Sequence, residues 1–251
     1  MNIYSSDSEL LAAGAKKYQL GTAWCWYAKI GGRYDFSRVD VEAIDRACIN
    51  SQYGYPFVID IEHFDVKDDF DNAIRNLRRA LIRWKSNQPE RLIGYYGIMP
   101  VRDYWCSLTA ATYRDRGQLD QWKTWSKSER RWSDHNTLIA NDLLEGVDFL
   151  VPSIYALYPG NEARWREYAD ANLREAERIA YGKPLWPMLM PSYKGRNPIE
   201  AEKWQGMIEF AMLHPASDAL SIHSHPGYAC NPNWREPVKT ALVQAASEME
   251  Q

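Results

Sequence analysis

Phe57-Val58-Ile59-Asp60-Ile61-Glu62-His63-Phe64 is a short apolar run that ends in two carboxylates two residues apart. Side chains alternate across a strand, so Val58, Asp60 and Glu62 share one face and Phe57, Ile59 and Ile61 the other. The two carboxylate Cα atoms would then lie roughly 6–7 Å apart. Crowded acids raise each other's proton affinity, and poor solvation raises both. A carboxylic acid still protonated near neutral pH is what a general acid for glycosidic cleavage requires. The competing reading is an N-cap or surface ion pair just past a strand, because a D-x-E pattern recurs by chance.

Outward from this stretch, strand and helix alternate. Residues 7–17 read as a short helix with an acidic first turn, and Leu20 to Trp26 as a strand. Ser37 reads as the cap of a helix running to about Asn50. After the acidic strand, Phe70, Ile74, Leu77, Leu81 and Trp84 recur at spacings of three and four, an amphipathic helix stopped by Pro89. Leu92–Gly97 is a further strand. The polar, Trp-rich segment from Pro100 to about Ser133 reads as a long loop, where barrels place substrate contacts. A helix near 134–145, a strand at 149–155 and a helix at 161–180 follow. Next come a strand at 185–190, a helix near 199–213, a strand at 219–223 and a helix near 235–249.

The strands are continuous apolar runs, so both faces are buried, which means a parallel sheet with helical crossovers. No Gly-rich phosphate loop is present, which disfavours a dinucleotide fold. The expectation is an α/β chain forming one TIM-like (β/α) barrel domain over residues 1–251. It should be distorted or incomplete, with fewer than eight strands: six are clear and Asn2-Ile3-Tyr4 would add a seventh. The active site of such a barrel lies at the C-terminal strand ends.

Those ends carry Trp26, then Asp60 and Glu62, then Tyr95 and Tyr96, then Ser153 and Tyr155. The last two carry Met190, Ser192 and Tyr193, and Ser221, His223 and His225. With 11 Trp and 16 Tyr in the chain, carboxylates among amphipathic rings suit a groove that stacks sugar faces and binds their hydroxyls. For any one aromatic, core filling is the more frequent role. His223 and His225 are a candidate metal pair, but no second half such as H-E-x-x-H exists, and a hydrogen-bonded strand-end His is preferred. No metal or other cofactor is expected. No G-x-S-x-G elbow supports serine hydrolysis.

The net charge of −3 with dispersed Lys and Arg gives no pointer to nucleic acid. No apolar run is long enough for a membrane span. Residues 1–17 lack an apolar core, so no signal peptide is visible. The compartment stays open between cytoplasmic, phage-associated, and secreted with the leader trimmed, and so does the oligomeric state. Cys25, Cys48, Cys106 and Cys230 show no C-x-x-C spacing and read as free or buried thiols.

The order V-I-D-I-E-H-F (58–64), G-Y-Y-G-I-M-P (94–100), V-P-S-I-Y (151–155), K-P-L-W-P-M (183–188) and A-L-S-I-H-S-H (219–225) resembles the hyaluronidase family of glycoside hydrolases. The helical segment N-L-R-E-A-E-R-I-A (172–180) adds to it, and the likeness is collinear from about residue 55 to 245. The resemblance implies a barrel short of eight strands. It implies retaining cleavage beside an N-acetylhexosamine, with the sugar's own acetamide oxygen as nucleophile, an exception to the two-carboxylate scheme. It makes Glu62 the general acid/base, Asp60 the residue that holds and polarises the acetamide, and Tyr155 a hydrogen-bonding partner of that acetamide. Tyr104 is a looser match to a family tyrosine. The expected partner is an oligosaccharide or polysaccharide substrate; beside Tyr104 and Tyr155, which the resemblance supplies, the strand ends offer Trp26, Tyr95, Tyr96, Tyr193 and His223 as binding residues. This sequence lacks a long segment that hyaluronidases carry before the acidic strand, lacks counterparts of their disulfides, and has His223 where they have Trp. Two alternatives stand beside this reading: a lysozyme-like muramidase with a D-x-E strand end, and a sugar-binding barrel without catalysis.

Overall fold

The computed structural model describes residues 1–51, 54–61, 63–64, 66, 69–102, 117–156, 162–193, 197–224 and 230–249 (for 119, 121–126 and 248–249 the backbone alone). The strands are β1 (Asn2–Ser5), β2 (Lys16–Lys17), β3 (Gln19–Gly21), β4 (Lys29–Ile30), β5 (Arg33–Tyr34), β6 (Phe57–Ile59), β7 (Ile93–Tyr96), β8 (Phe149–Val151), β9 (Met188–Leu189) and β10 (Ala219–Ile222). The α-helices are α1 (Ser8–Ala12), α2 (Val41–Asn50), α3 (Phe70–Asn87), α4 (Leu119–Leu143), α5 (Glu162–Ala180), α6 (Ala201–Leu213) and α7 (Arg235–Met249).

Two four-stranded sheets, ordered β2-β1-β10-β9 and β3-β6-β7-β8, are parallel throughout. Parallel neighbours need helical crossovers: α2, α3, α4 and α6 supply them within the sheets, and α5 leads from β8 in one sheet to β9 in the other. The sheets meet at two seams. At one, isolated parallel bridges join Leu150 to Leu185 and Ser153 to Met188. At the other, the chain runs from β2 into β3 through Tyr18, whose N–H donates to the Ser5 carbonyl over a long 3.4 Å. The ladders therefore do not run unbroken around the ring, and the barrel is not regularly closed. The strand lines number seven among the described residues: β1, β2 with β3, β6, β7, β8, β9 and β10. Asn2–Ser5 does supply the extra one.

Strand alternation sorts the core into layers. Phe57 and Ile59 of β6, Ile93 and Tyr95 of β7 and Leu150 of β8 pack outward with Leu77, Leu81 and Trp84 of α3. Ile3, Leu220 and Ile222 pack outward with Trp165 of α5 and Trp204 of α6. Val58, Tyr96, Phe149, Val151, Tyr4, Tyr18 and Met188 face inward and fill the ring. Each large apolar side chain withdrawn from water in these layers contributes about 1.5–3 kcal/mol.

Several expectations are corrected. Helix α2 starts at Val41, capped by Asp40, whose side chain accepts from the Ala43 N–H at 3.0 Å, and not at Ser37. The strand after Leu20 ends at Gly21, and Ala23–Cys25 is a 3-10 turn. The second half of the expected long loop is helix: α4 begins at Leu119 and buries Trp132, Asn136, Ile139 and Leu143. The antiparallel hairpin β4–β5 was not expected. Its turn residues Gly31 and Gly32 have φ of +58° and +81°, which non-glycine side chains resist.

Candidate functional site

Asp60 follows Ile59 at the C-terminal end of β6. Val58 faces into the ring, so alternation turns Asp60 the same way, at its mouth. Its side chain is half-buried. Three phenols feel its charge: Tyr18, Tyr27 and Tyr155 are each raised above the ordinary tyrosine range, by burial first and by Asp60 among the lesser causes. Tyr155, seven per cent exposed, is raised further by Tyr96 and Tyr18.

Tyr96 and Tyr155 come from neighbouring strand lines, with ring centroids 5.4 Å apart. The Tyr96 hydroxyl and Ser153 Oγ share a hydrogen bond of 3.0 Å, and Arg102 Nη1 donates to the Tyr96 oxygen at 3.3 Å. The Tyr18 hydroxyl reaches toward the Ile222 carbonyl at 3.5 Å. On the opposite arc, Ser221 is fully buried and its hydroxyl has no protein partner among the described residues, nor has that of Ser192. Buried hydroxyls of this kind are normally satisfied by water or a ligand. His223, two residues beyond Ser221, shares its face, and its backbone N–H donates to Leu189 O at 2.9 Å.

Among the described residues the result is a carboxylate, Asp60, beside phenols that stay protonated through the neutral range. Protonated hydroxyls donate hydrogen bonds and the carboxylate accepts them. Together they can bind and polarise a neutral polar group such as an amide or a sugar hydroxyl. Just outside, His63 stacks on Phe36 with centroids 3.8 Å apart and planes within 6°, and the Tyr27 hydroxyl lies 3.5 Å from His63 Nδ1.

Three residues expected at the mouth lie elsewhere. Trp26 is buried against Phe57 and Trp84, at centroid distances of 5.8 and 5.6 Å, between sheet and helices. Tyr95 is outward because Tyr96 is inward, and its hydroxyl donates to the Leu77 carbonyl of α3 at 2.6 Å. Tyr193 packs in the outer layer and donates to Glu200 Oε2 at 2.7 Å. These three are core side chains. Glu62, Tyr104 and His225 lie outside the described residues. Tyr18 and Arg102 were not anticipated. The only sequence signal for Tyr18 is its alternation with Leu20, which also packs at the inward layer.

Among the described residues, no three His, Cys, Asp or Glu side chains gather as metal ligands, and no helix is long and apolar enough to cross a membrane. No protein-family model matches the chain, and no curated protein sequence matches it. Solved structures do. The monoclinic crystal structure of bee venom hyaluronidase is 12% identical, covering 100% of this chain and 97% of that one, with a TM-score of 0.63. The same venom protein in complex with a hyaluronic acid tetramer is 12% identical over 100% of this chain and 96% of that one, with a TM-score of 0.59. At this identity the likeness is one of fold: parallel strands and helical crossovers laid out as in a hyaluronidase.

Proposed function

We propose that this chain is a glycoside hydrolase that cleaves an N-acetylhexosamine-containing glycan with retention, using the sugar's own acetamide as nucleophile. The observation that carries the reading is the placing of Tyr18 and Tyr155 beside Asp60 at the C-terminal mouth of a parallel-stranded ring. The likeness of fold to bee venom hyaluronidase, a protein also solved with a hyaluronic acid tetramer, agrees with it.

In this mechanism Asp60 accepts a hydrogen bond from the acetamide N–H, which raises the electron density on the acetamide oxygen. Tyr155 donates its hydroxyl to the acetamide and holds the group under the ring. The oxygen attacks the anomeric carbon as the glycosidic bond breaks. Glu62 gives its proton to the departing glycosidic oxygen, and the anomeric carbon and acetamide form a cyclic cation. Glu62, now a carboxylate, takes a proton from water, and that water opens the cation with net retention. The low-dielectric wall of buried tyrosines strengthens each of these electrostatic contacts.

The test is a glycan-panel digest read by mass spectrometry, with wild type beside Glu62→Gln and Asp60→Asn. Wild type should cleave an N-acetylhexosamine glycan, and Glu62→Gln should retain the fold and lose about 10²–10⁴ in kcat. Unchanged turnover by Glu62→Gln refutes the mechanism. Release of reducing muramic ends from peptidoglycan alone would replace it with a muramidase, and tight oligosaccharide binding with no cleavage would leave a sugar-binding barrel.

A further inference from the structure

Tyr155 can donate to a substrate only if its single proton is not engaged by another oxygen. The nearest claimant is Tyr96. The two rings lie 5.4 Å apart, tilted by 35°, and Tyr96 is among the causes, after burial, that hold the Tyr155 proton in place. Both side chains are buried, so their hydroxyls must find partners within the protein or in a ligand.

Tyr96 has two further neighbours. Ser153 Oγ lies 3.0 Å from its hydroxyl, and Arg102 Nη1 donates to its oxygen at 3.3 Å. A guanidinium carries donors alone, so the second bond has one direction: the phenol oxygen accepts. That bond is charge-assisted. It draws electron density from the phenol oxygen, which becomes a better donor of its own proton and a poorer acceptor of another. Ser153 Oγ can take the Tyr96 proton. The hydroxyls are then ordered from Arg102 through Tyr96 to Ser153, and the Tyr155 proton is left for the mouth. Without the guanidinium, the Tyr96 oxygen is again an acceptor within reach of Tyr155.

The fold holds Arg102 where it can do this. Directly after β7 the chain turns, with Ile98 and Val101 paired as an antiparallel bridge, and this brings residue 102 back toward the side chain of residue 96. Helix α4 fastens the turn. Asn136 Oδ1 accepts from the Val101 N–H at 3.0 Å, and Trp132 Nε1 donates to the Val101 carbonyl at 2.6 Å. Both backbone groups of the residue before Arg102 are therefore tied, and Arg102 itself is half-buried. A long side chain rooted this way loses less freedom on forming its bond than one on an open surface.

We infer that Arg102 is a positioning residue: through Tyr96 it aims the hydroxyl of Tyr155 at the substrate. The consequence for turnover rests on the hydrolase reading. The direction of the hydroxyls does not, because it belongs to the protein without ligand.

Two measurements test these halves separately. In ligand-free protein labelled at tyrosine Cζ and read by carbon NMR, the Tyr96 and Tyr155 signals are assigned from Tyr96→Phe and Tyr155→Phe. Both signals should move in Arg102→Gln and in Arg102→Met. Both should return toward their wild-type positions in Arg102→Lys, whose ammonium supplies the one N–H that the Tyr96 contact uses. Circular dichroism checks each fold, and the Met variant carries the test if the Gln variant does not fold. A Tyr155 signal that stays in place in the neutral variants overturns the inference. On a glycan that wild type cleaves, Arg102→Gln should lower kcat by about tenfold with KM within about twofold, and Arg102→Lys should recover most of the loss. A rise in KM at constant kcat also overturns it, since Arg102 would then be binding substrate itself. If wild type cleaves no glycan, the hydrolase reading fails, and the two carbon signals still decide the orientation by themselves.

Discussion

Replacing Gly94 with alanine tests the layered packing beneath the mouth. Gly94 sits in β7 between the outward Ile93 and Tyr95, so its Cα faces into the ring. A Cβ placed there would lie 2.4, 2.6 and 2.9 Å from Cε2, Cδ2 and Cζ of Phe149. Ordinary carbon contacts need about 3.5–4.0 Å, so the ring must retreat by about 1 Å. It cannot do so freely. Phe149 stacks on Trp186 at 3.9 Å, and Trp186 stacks on Tyr4 at 4.2 Å, closing a three-ring layer across the barrel. Overpacking of this kind costs about 1–3 kcal/mol, offset by about 0.4–1 kcal/mol from the stiffer unfolded chain. The net loss should be about 1–2 kcal/mol, a fall in Tm of about 2–8 °C for a chain of this size. Urea titration followed by circular dichroism, with thermal melts beside it, measures both. Phe149→Leu in the same background should relieve the clash, so the double variant should be more stable than the sum of the singles by about 1 kcal/mol. Full stability of Gly94→Ala, or strict additivity with Phe149→Leu, would refute the packing argument.

Three further outcomes follow from other contacts. The hydrogen bond from Arg235, ahead of the α1 backbone N–H groups, holds the Asp7 carboxyl below the usual range. Its folded value is thus depressed, so its stabilisation is present above the unfolded carboxylate value of about 3.9 and is lost as pH falls through the folded one. Asp7→Asn should lower the urea midpoint at pH 7 and much less at pH 2, and an equal loss at both would refute the assignment. Asn136, fully buried, accepts from the Val101 N–H and donates to Glu175 Oε1, both at 3.0 Å. Asn136→Ala should cost about 2–4 kcal/mol by orphaning both, and a loss under about 0.5 kcal/mol in urea titration would contradict this. Burial pushes the thiol of Cys25 up to about 12 and that of Cys48 up to about 11. Neither should be alkylated by iodoacetamide at pH 8 in the folded protein, and peptide mapping that finds either one labelled would show the burial to be wrong.

The sequence made the crossover helices legible where apolar spacing was strong. Phe70, Ile74, Leu77, Leu81 and Trp84 mark α3 because one stripe of it must meet the sheet. Helix α4 was hidden by composition. Between Leu119 and Ser133 polar and charged residues outnumber apolar ones, and a helix with so thin a buried stripe gives little periodic signal. What holds its described middle is partly polar: Trp132 donates its indole N–H to Val101 O at 2.6 Å, and Asn136 ties α4 to α5. Such bonds join distant parts of the chain and leave no pattern at short range. The strand ends suffered similarly. Runs read as six or seven residues carry ladder pairing over only two to four, because at the seams the hydrogen bonds go to isolated partners.

The mouth was legible in its acid and half legible in its aromatics, and the reason is parity. Tyr95 and Tyr96 are adjacent and chemically alike, yet a strand sends one to α3 and the other to Ser153. Sequence alone assigns the pair to a strand end without saying which member faces in. The acidic strand settles it through register: Ile59 pairs with Tyr95, and Val58 with Gly94. In a parallel pair, partners share a face. Since Ile59 must face outward for Asp60 to face the mouth, Tyr95 must go outward with it, and Gly94 inward with Val58. The same step carries Leu150, the partner of Tyr95, outward and Val151, the partner of Tyr96, inward, so Ser153 and Tyr155 follow inward. One orientation, that of Asp60, thus decides which tyrosines can reach it, and it does so through backbone pairing before any side chain makes contact.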